Sequence, residues 1–352
     1  MIYKKLIKCV LAIAIAISIP GTGQVLALDL EEEEVNAPLP EDIESDVPTI
    51  PVTENVYGDR VMMAAEYTEF VINPGESYEF SFDVSSTTRT IYTDASQSKG
   101  IFYDYVVYGK KGDAKRKGMD RTGVINFDTD ETVVISIPTE SNPMTVKIRD
   151  DATYSITSEP ALLRFTLQKG ESYRLLNVGP NGSKSIASNV SSSQERRYDY
   201  SVYNADGKRV SGAYYSVGKP QISNDEELII TGVTSNPVTI GFPYRIADGE
   251  VSDEPAYLRI DLNPGESYEL TNLSTKTEII QFENPSKHRF DYVIYKPDGT
   301  EHTHRSNSSS EPSVQSGYKI VITLVSDNPT TIGAPYRAFE AAILMKQFIV
   351  SQ

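Results

Sequence analysis

The sequence predicts an all-β protein of three tandem β-sandwich or jelly-roll-like modules. Three observations carry that expectation. The first is a repeat: Gly75-Glu76-Ser77-Tyr78 returns as Gly170-Glu171-Ser172-Tyr173 and Gly265-Glu266-Ser267-Tyr268, both times after 95 residues. Tyr103-Asp104-Tyr105 returns as Tyr198-Asp199-Tyr200 and Phe290-Asp291-Tyr292, and Ser141-Asn142-Pro143 as Ser235-Asn236-Pro237 and Asp327-Asn328-Pro329. Pro243-Tyr244-Arg245 reappears as Pro335-Tyr336-Arg337. A period this long is a whole domain, large enough for its own core. The second observation is alternation: Tyr78, Phe80 and Phe82, then Tyr103, Tyr105 and Val107, alternate with other residues at strand spacing. The third is turn chemistry. In Asn73-Pro74-Gly75-Glu76 and Asn263-Pro264-Gly265-Glu266, proline presets φ and glycine permits φ > 0, as a type II turn requires.

Taken in chain order, residues 1–27 read as a secretory signal peptide. Lys4, Lys5 and Lys8 precede the short apolar run Cys9–Ile19, and Val25-Leu26-Ala27 offers a cleavage site. An uncleaved membrane anchor is the alternative. Residues 28–64 read as a disordered acidic linker: Glu31–Glu34 and four prolines leave little apolar surface to offset chain entropy. The modules are then 65–160, 161–255 and 256–352, with seams at Ser158-Glu159-Pro160 and Asp253-Glu254-Pro255. Leu228-Ile229-Ile230 and Ile320-Val321-Ile322 read as buried central strands, and Asp206-Gly207 and Asp298-Gly299 as hairpin tips. Tyr105, Tyr200 and Tyr292 are expected at matching core positions. After the last module, Glu340–Gln347 reads as a short helix by its Ala, Leu, Met and Lys content, with a strand as the alternative.

A hairpin turned by Gly-Glu-Ser-Tyr, followed by an aromatic-Asp-aromatic strand that ends in Tyr203-Asn204-Ala205-Asp206-Gly207, resembles the pre-peptidase C-terminal modules of secreted bacterial proteins. The resemblance covers all three modules. It implies β-sandwiches of this size, accessory to secreted hydrolases or binding matrix. No peptidase domain accompanies them here, and no functional residue carries over.

Composition narrows the chemistry. The single cysteine lies in the leader, so the mature chain forms no internal disulfide and has no thiol nucleophile. The formal charge of −16 becomes −19 once the three leader lysines are removed, which disfavours nucleic acid and anionic lipid as partners. No Gly-x-Ser-x-Gly elbow, P-loop, dinucleotide fingerprint or His-Glu-x-x-His is present. His302 and His304 could share a metal if extended, but a solvated loop is the simpler reading.

Two sets of residues stand out as sites. Asp104, Asp199 and Asp291 hold one place in each repeat, flanked by aromatics. They read either as structural carboxylates that accept hydrogen bonds from a neighbouring loop or as calcium ligands. The acidic turns Asp128–Glu131 and Asn224–Glu227 raise the same pair of readings. Against the acidic background, Lys110, Lys111, Lys115, Arg116, Lys117 and Arg121 crowd one segment of module 1, as a solvated loop or as a contact for an anionic partner. Tyr214 and Tyr215 are adjacent, so one is expected to face outward, where it suits protein or glycan contact.

The function that follows is a non-catalytic secreted or cell-surface binding or adhesion protein. Its partner would be an extracellular glycan, a wall polymer or a protein, and self-association would be compatible with its repeats. No cofactor is expected apart from calcium, and once processed the chain is not transmembrane. The alternatives are a secreted carboxylate-based, glycoside-hydrolase-like enzyme and a structural envelope component.

Overall fold

The computed structural model describes residues 66–82, 89–180 and 182–343. The leader, the acidic linker and residues 344–352 lie outside the described residues, and the expectations placed on them lie there too.

Module 1 comprises β1 (Tyr67–Ile72), β2 (Ser77–Phe82), β3 (Arg89–Thr93), β4 (Tyr103–Tyr108), β5 (Ala114–Arg121), β6 (Ile125–Phe127), β7 (Thr132–Ser136), β8 (Met144–Arg149) and β9 (Ala152–Ile156). A five-stranded sheet of order β5-β4-β7-β2-β9 lies against a four-stranded sheet of order β1-β8-β3-β6. Module 2 repeats this with β10 (Leu162–Leu167), β11 (Ser172–Asn177), β12 (Lys184–Ser185), β13 (Ala187–Ser188), β14 (Tyr198–Tyr203), β15 (Arg209–Ser216), β16 (Gln221–Ile222), β17 (Glu227–Gly232), β18 (Val238–Pro243) and β19 (Ala247–Ser252). Its sheets are β15-β14-β17-β11-β19, β10-β18-β13 and the short pair β12-β16. Module 3 follows with β20 (Tyr257–Leu262), β21 (Ser267–Asn272), β22 (Glu278–Ile279), β23 (Gln281–Phe282), β24 (Phe290–Tyr295), β25 (Glu301–Ser308), β26 (Ser313–Val314), β27 (Lys319–Leu324), β28 (Thr330–Pro335) and β29 (Phe339–Ile343). Its sheets are β25-β24-β27-β21-β29, β20-β28-β23 and β22-β26. The described residues are all-β, with only three short 3₁₀ turns, and all belong to one compact unit.

The repeated Gly-Glu-Ser motif now has a physical account. Gly75, Gly170 and Gly265 sit at φ of 85°, 88° and 74°, where a side chain would be strained. The following glutamate closes the turn by accepting the backbone N–H three residues earlier: Asn73 to Glu76 at 2.9 Å, Gln168 to Glu171 at 2.8 Å, Asn263 to Glu266 at 2.8 Å. The serine hydroxyl pairs with the central strand, Ser77 with Ser136 at 2.8 Å, Ser172 with Thr231 at 2.9 Å and Ser267 with Thr323 at 2.7 Å.

Tyr105, Tyr200 and Tyr292 do share one register position, opposite Ile135, Ile230 and Ile322. Of the three only Tyr292 is buried; the first two are half-buried, and the deep core positions are Tyr103, Tyr198 and Phe290, two residues earlier in each strand. The helix expected from Glu340 is corrected as far as Ile343. That segment is β29, paired with β21 from Tyr268↔Ile343 to Asn272↔Phe339. It fills the place of β9 and β19, where an edge with open N–H and C=O groups outweighs helix propensity.

Candidate functional site

The most organised polar features of the molecule lie where one module docks on the next. They begin with the repeated aspartate. β4, β14 and β24 each pair with the following long strand through a register shift. The bulge leaves Asp120, Tyr215 and Asn307 in the left-handed region, at φ of 51°, 51° and 52°. Each exposed N–H is captured by the aspartate: Asp120 by Asp104 at 2.9 Å, Tyr215 by Asp199 at 2.7 Å, Asn307 by Asp291 at 2.8 Å.

In the first two modules the same carboxylate also receives an arginine from the next module. Arg164 on β10 donates to both oxygens of Asp104 at 3.0 and 2.9 Å, and reaches Asp120 at 2.9 Å and Glu140 at 3.0 Å. Arg259 on β20 donates to Asp199 at 3.3 and 3.0 Å and to Glu283 at 3.0 Å. Asp104 is 2% exposed and Asp199 0%. Burial pushes each up to about 6, against the downward pull of the arginine and the bulge amide, so both are charged at neutral pH.

A second arginine repeats the pattern. Arg245 lies over the Tyr108 ring and donates to Glu159 at 2.8 Å and Glu79 at 2.5 Å. Arg337 lies over Tyr203, with Glu254 at 2.7 Å and Glu227 at 2.8 Å. The backbone joins in: Ala161 N–H donates to Ser136 at 2.6 Å and Ala256 N–H to Thr231 at 2.8 Å. Between these polar contacts the junctions are apolar. Val106, Tyr108 and Val134 of module 1 share a core with Ala161 and Leu162, and Tyr203, Tyr214 and Ile229 of module 2 share one with Ala256 and Tyr257.

These contacts place the expected site residues. The cation that meets Asp104 and Asp199 is a guanidinium, and Asp291 bonds a backbone amide. The three aspartates lie in three separate modules, and no group of three or more His, Cys, Asp or Glu among the described residues is placed to share a metal ion. The acidic turns close on themselves: Glu131 accepts the Asp128 N–H at 2.8 Å, and Glu226 that of Ser223 at 2.7 Å. His302 packs edge-on against Tyr318, and His304 meets Ser306 at 3.2 Å. Tyr214 is buried at the second junction, while Tyr215 is half-buried beneath Arg197.

The side chains of the basic segment have different surroundings. Lys110 and Lys111 are exposed at the β4–β5 turn. Lys115 pairs with Asp113 at 2.8 Å and Arg116 with Glu131 at 2.7 Å. Arg121, at the far end of β5, is exposed beside Tyr103. Lys117 instead turns into the junction with module 2 and donates to Ser185 at 3.3 Å. A cleft of about 500 Å³ opens at the same junction, but its polar wall is the Arg164–Asp104–Glu140 network, whose groups already hold one another.

The junction roles of Arg164, Arg245, Arg259 and Arg337 escaped the sequence reading, although two signals for them were available. Arg164 and Arg259 stand 95 residues apart, and the Pro-Tyr-Arg repeat was visible without its purpose. No protein-family model matches this chain, and no curated protein matches it.

Proposed function

We propose that this is a non-catalytic binding or adhesion protein that works outside the cell, presenting its three β-sandwich modules in a fixed mutual arrangement. The observation that supports this reading is the repeated junction. Two arginines, a carboxylate network, a backbone amide donating to a hydroxyl and a shared apolar core hold modules 2 and 3 each to the module before it. Copies held in register present weak sites together, and linked weak sites gain affinity through effective concentration. The leader-like residues 1–27 support export, and the partner is an extracellular glycan, a wall polymer or a protein. The test is retention of the mature chain on isolated cell-envelope and extracellular-matrix fractions. Saturable retention on one fraction is the expected result. Release of soluble sugars from a fraction without retention of the protein would overturn the reading in favour of an enzyme.

A further inference from the structure

The two junctions differ in one respect that their shared geometry makes visible. At the second junction, Arg209 of module 2 meets Glu278 of module 3 at 2.7 Å, and Lys276 flanks the same carboxylate at 3.4 Å. Glu278 is only 3% exposed, so a buried carboxylate lies between two cations. Its strand β22 pairs with β26, Glu278 opposite Val314. The matching pair in module 2 is β12 with β16, and there Lys184 stands opposite Ile222. A second matched position is inverted as well. The backbone bonds Ile186 N–H to Pro220 and Ile280 N–H to Pro312 align Lys219 with Glu311.

Module 1 answers these two lysines with a third cation. Lys117 reaches across the junction to Ser185, the neighbour of Lys184, and the charges of Lys184 and Lys219 both act on it. Burial and these two like charges hold Lys117 down at about 8. The nearby carboxylate Asp113 is engaged by Lys115 at 2.8 Å. Among the described residues, none of the three lysines has a carboxylate within ion-pair distance. Lys117 thus meets module 2 beside the paired segments that carry Lys184 and Lys219, at a docked junction of a chain whose net charge is −16. At the second junction Glu278 pairs with Arg209 and Lys276, whereas Lys117, Lys184 and Lys219 form no ion pair among the described residues.

We propose that the junction between modules 1 and 2 is a binding site for an oxyanion, a phosphate or sulfate group, held by Lys117, Lys184 and Lys219 with the Ser185 hydroxyl as an added donor. The bound group takes the part that Glu278 plays at the second junction, and it bridges modules 1 and 2. Phosphate and sulfate esters share the needed chemistry, several acceptor oxygens on one compact charge. The site deepens the binding function proposed above by naming the group on the extracellular polymer that it recognises, and to that extent rests on it.

The test is calorimetric titration of the mature chain with inorganic phosphate and with inorganic sulfate, at neutral pH and constant ionic strength. One saturable site per chain is expected. Lys184→Glu, which copies the second junction, should weaken binding at least tenfold and raise the melting temperature in the absence of anion. Lys184→Met separates charge removal from charge reversal and should weaken binding too. Exchanging Lys110 and Lys111 for alanine should change nothing. Competition with a glycerol-phosphate polymer and with a sulfated glycan then distinguishes the source of the group, and displacement by either supports the site. Unsaturable binding, binding indifferent to both Lys184 variants, or equal losses in the Lys110 and Lys111 variants would overturn it. Because the probes are simple ions, a failure here is separable from a failure to bind envelope or matrix.

Discussion

Asp104, Asp199 and Asp291 show how one residue type serves two purposes in one place. Their shared task is to hold the left-handed bulge residue, which explains why all three repeats carry aspartate there. The arginine contact is added only where another module follows. The pairing gives a pH-dependent prediction. In Arg164→Leu, Asp104 loses its main stabilising charge while remaining buried, so its carboxyl rises beyond the value of about 6 that it has beside the arginine. A carboxyl raised above its unfolded value favours folding only while it keeps its proton. That contribution is fullest below about pH 4 and is lost as pH rises through the folded value. Arg164→Leu should therefore cost about 3 kcal/mol at pH 7, the scale of stranding a buried charge, and much less at pH 4.5. Urea midpoints of the variant and native chains at the two pH values check this. An equal cost at both would mean that the arginine acts through packing alone.

Among the elements, the central strands carry the most information, because burial on their two faces has two different causes. In β4 and β14 one face fills the module's own sandwich and the other is covered by the next module; β24 has the same sequence pattern, but its outer positions Asp291, Val293 and Tyr295 are only half-buried. The first strand of each following module must come close enough to seat this second face. Gly333 on β28 shows how tight the fit is: a Cβ built there would overlap the Tyr214 ring of module 2. Its φ is not in the left-handed region, so the demand for glycine is steric rather than conformational. Gly333→Ala should destabilise by about 1–3 kcal/mol, the usual cost of overpacking, and should cost less in a chain whose Tyr214 is already alanine. Thermal unfolding of the two variants and the double variant measures the coupling. Strict additivity would show that Tyr214 does not oppose the alanine.

For the whole molecule, the junction chemistry bears on whether copies of the chain can add to one another head to tail. Module 3 still offers Asp291, the hydroxyl pair Ser267 and Thr323, and a half-buried apolar face. Module 1, however, carries Glu69 at the register position held by Arg164 and Arg259, and Asp150-Asp151 where the later modules place the Pro-Tyr-Arg turn. A second copy docking in the manner of an internal junction would bring Glu69 toward Asp291, carboxylate against carboxylate. The mature chain is expected to be monomeric by light scattering at neutral pH. Glu69→Arg should introduce concentration-dependent association that weakens as salt is added. A native chain that already oligomerises through this face would contradict the argument.

The sequence by itself determined the number of modules, their all-β character and the turns. These rest on local physics: glycine at positive φ, glutamate closing the turn, and alternation along a pleated strand. Repetition made each signal legible three times over. It also marked Asp104 and its counterparts as special, since a buried charge among aromatics needs a partner. What only the tertiary structure decided is the identity of that partner. Arg164 is 60 residues from Asp104, as Arg259 is from Asp199, and Lys117 is 68 from Ser185; the repeat carries the first spacing twice, but only docking shows that it is a contact. The basic segment that reads as one patch in the sequence separates in space because Arg116 and Lys117, successive residues of β5, face opposite ways, while Lys115 falls in the register shift between the Val107–Arg116 and Tyr108–Ala114 pairs. Lys115 and Arg116 meet carboxylates of their own module, while Lys117 is turned into the junction, where modules 1 and 2 together create a charge environment that neither has alone.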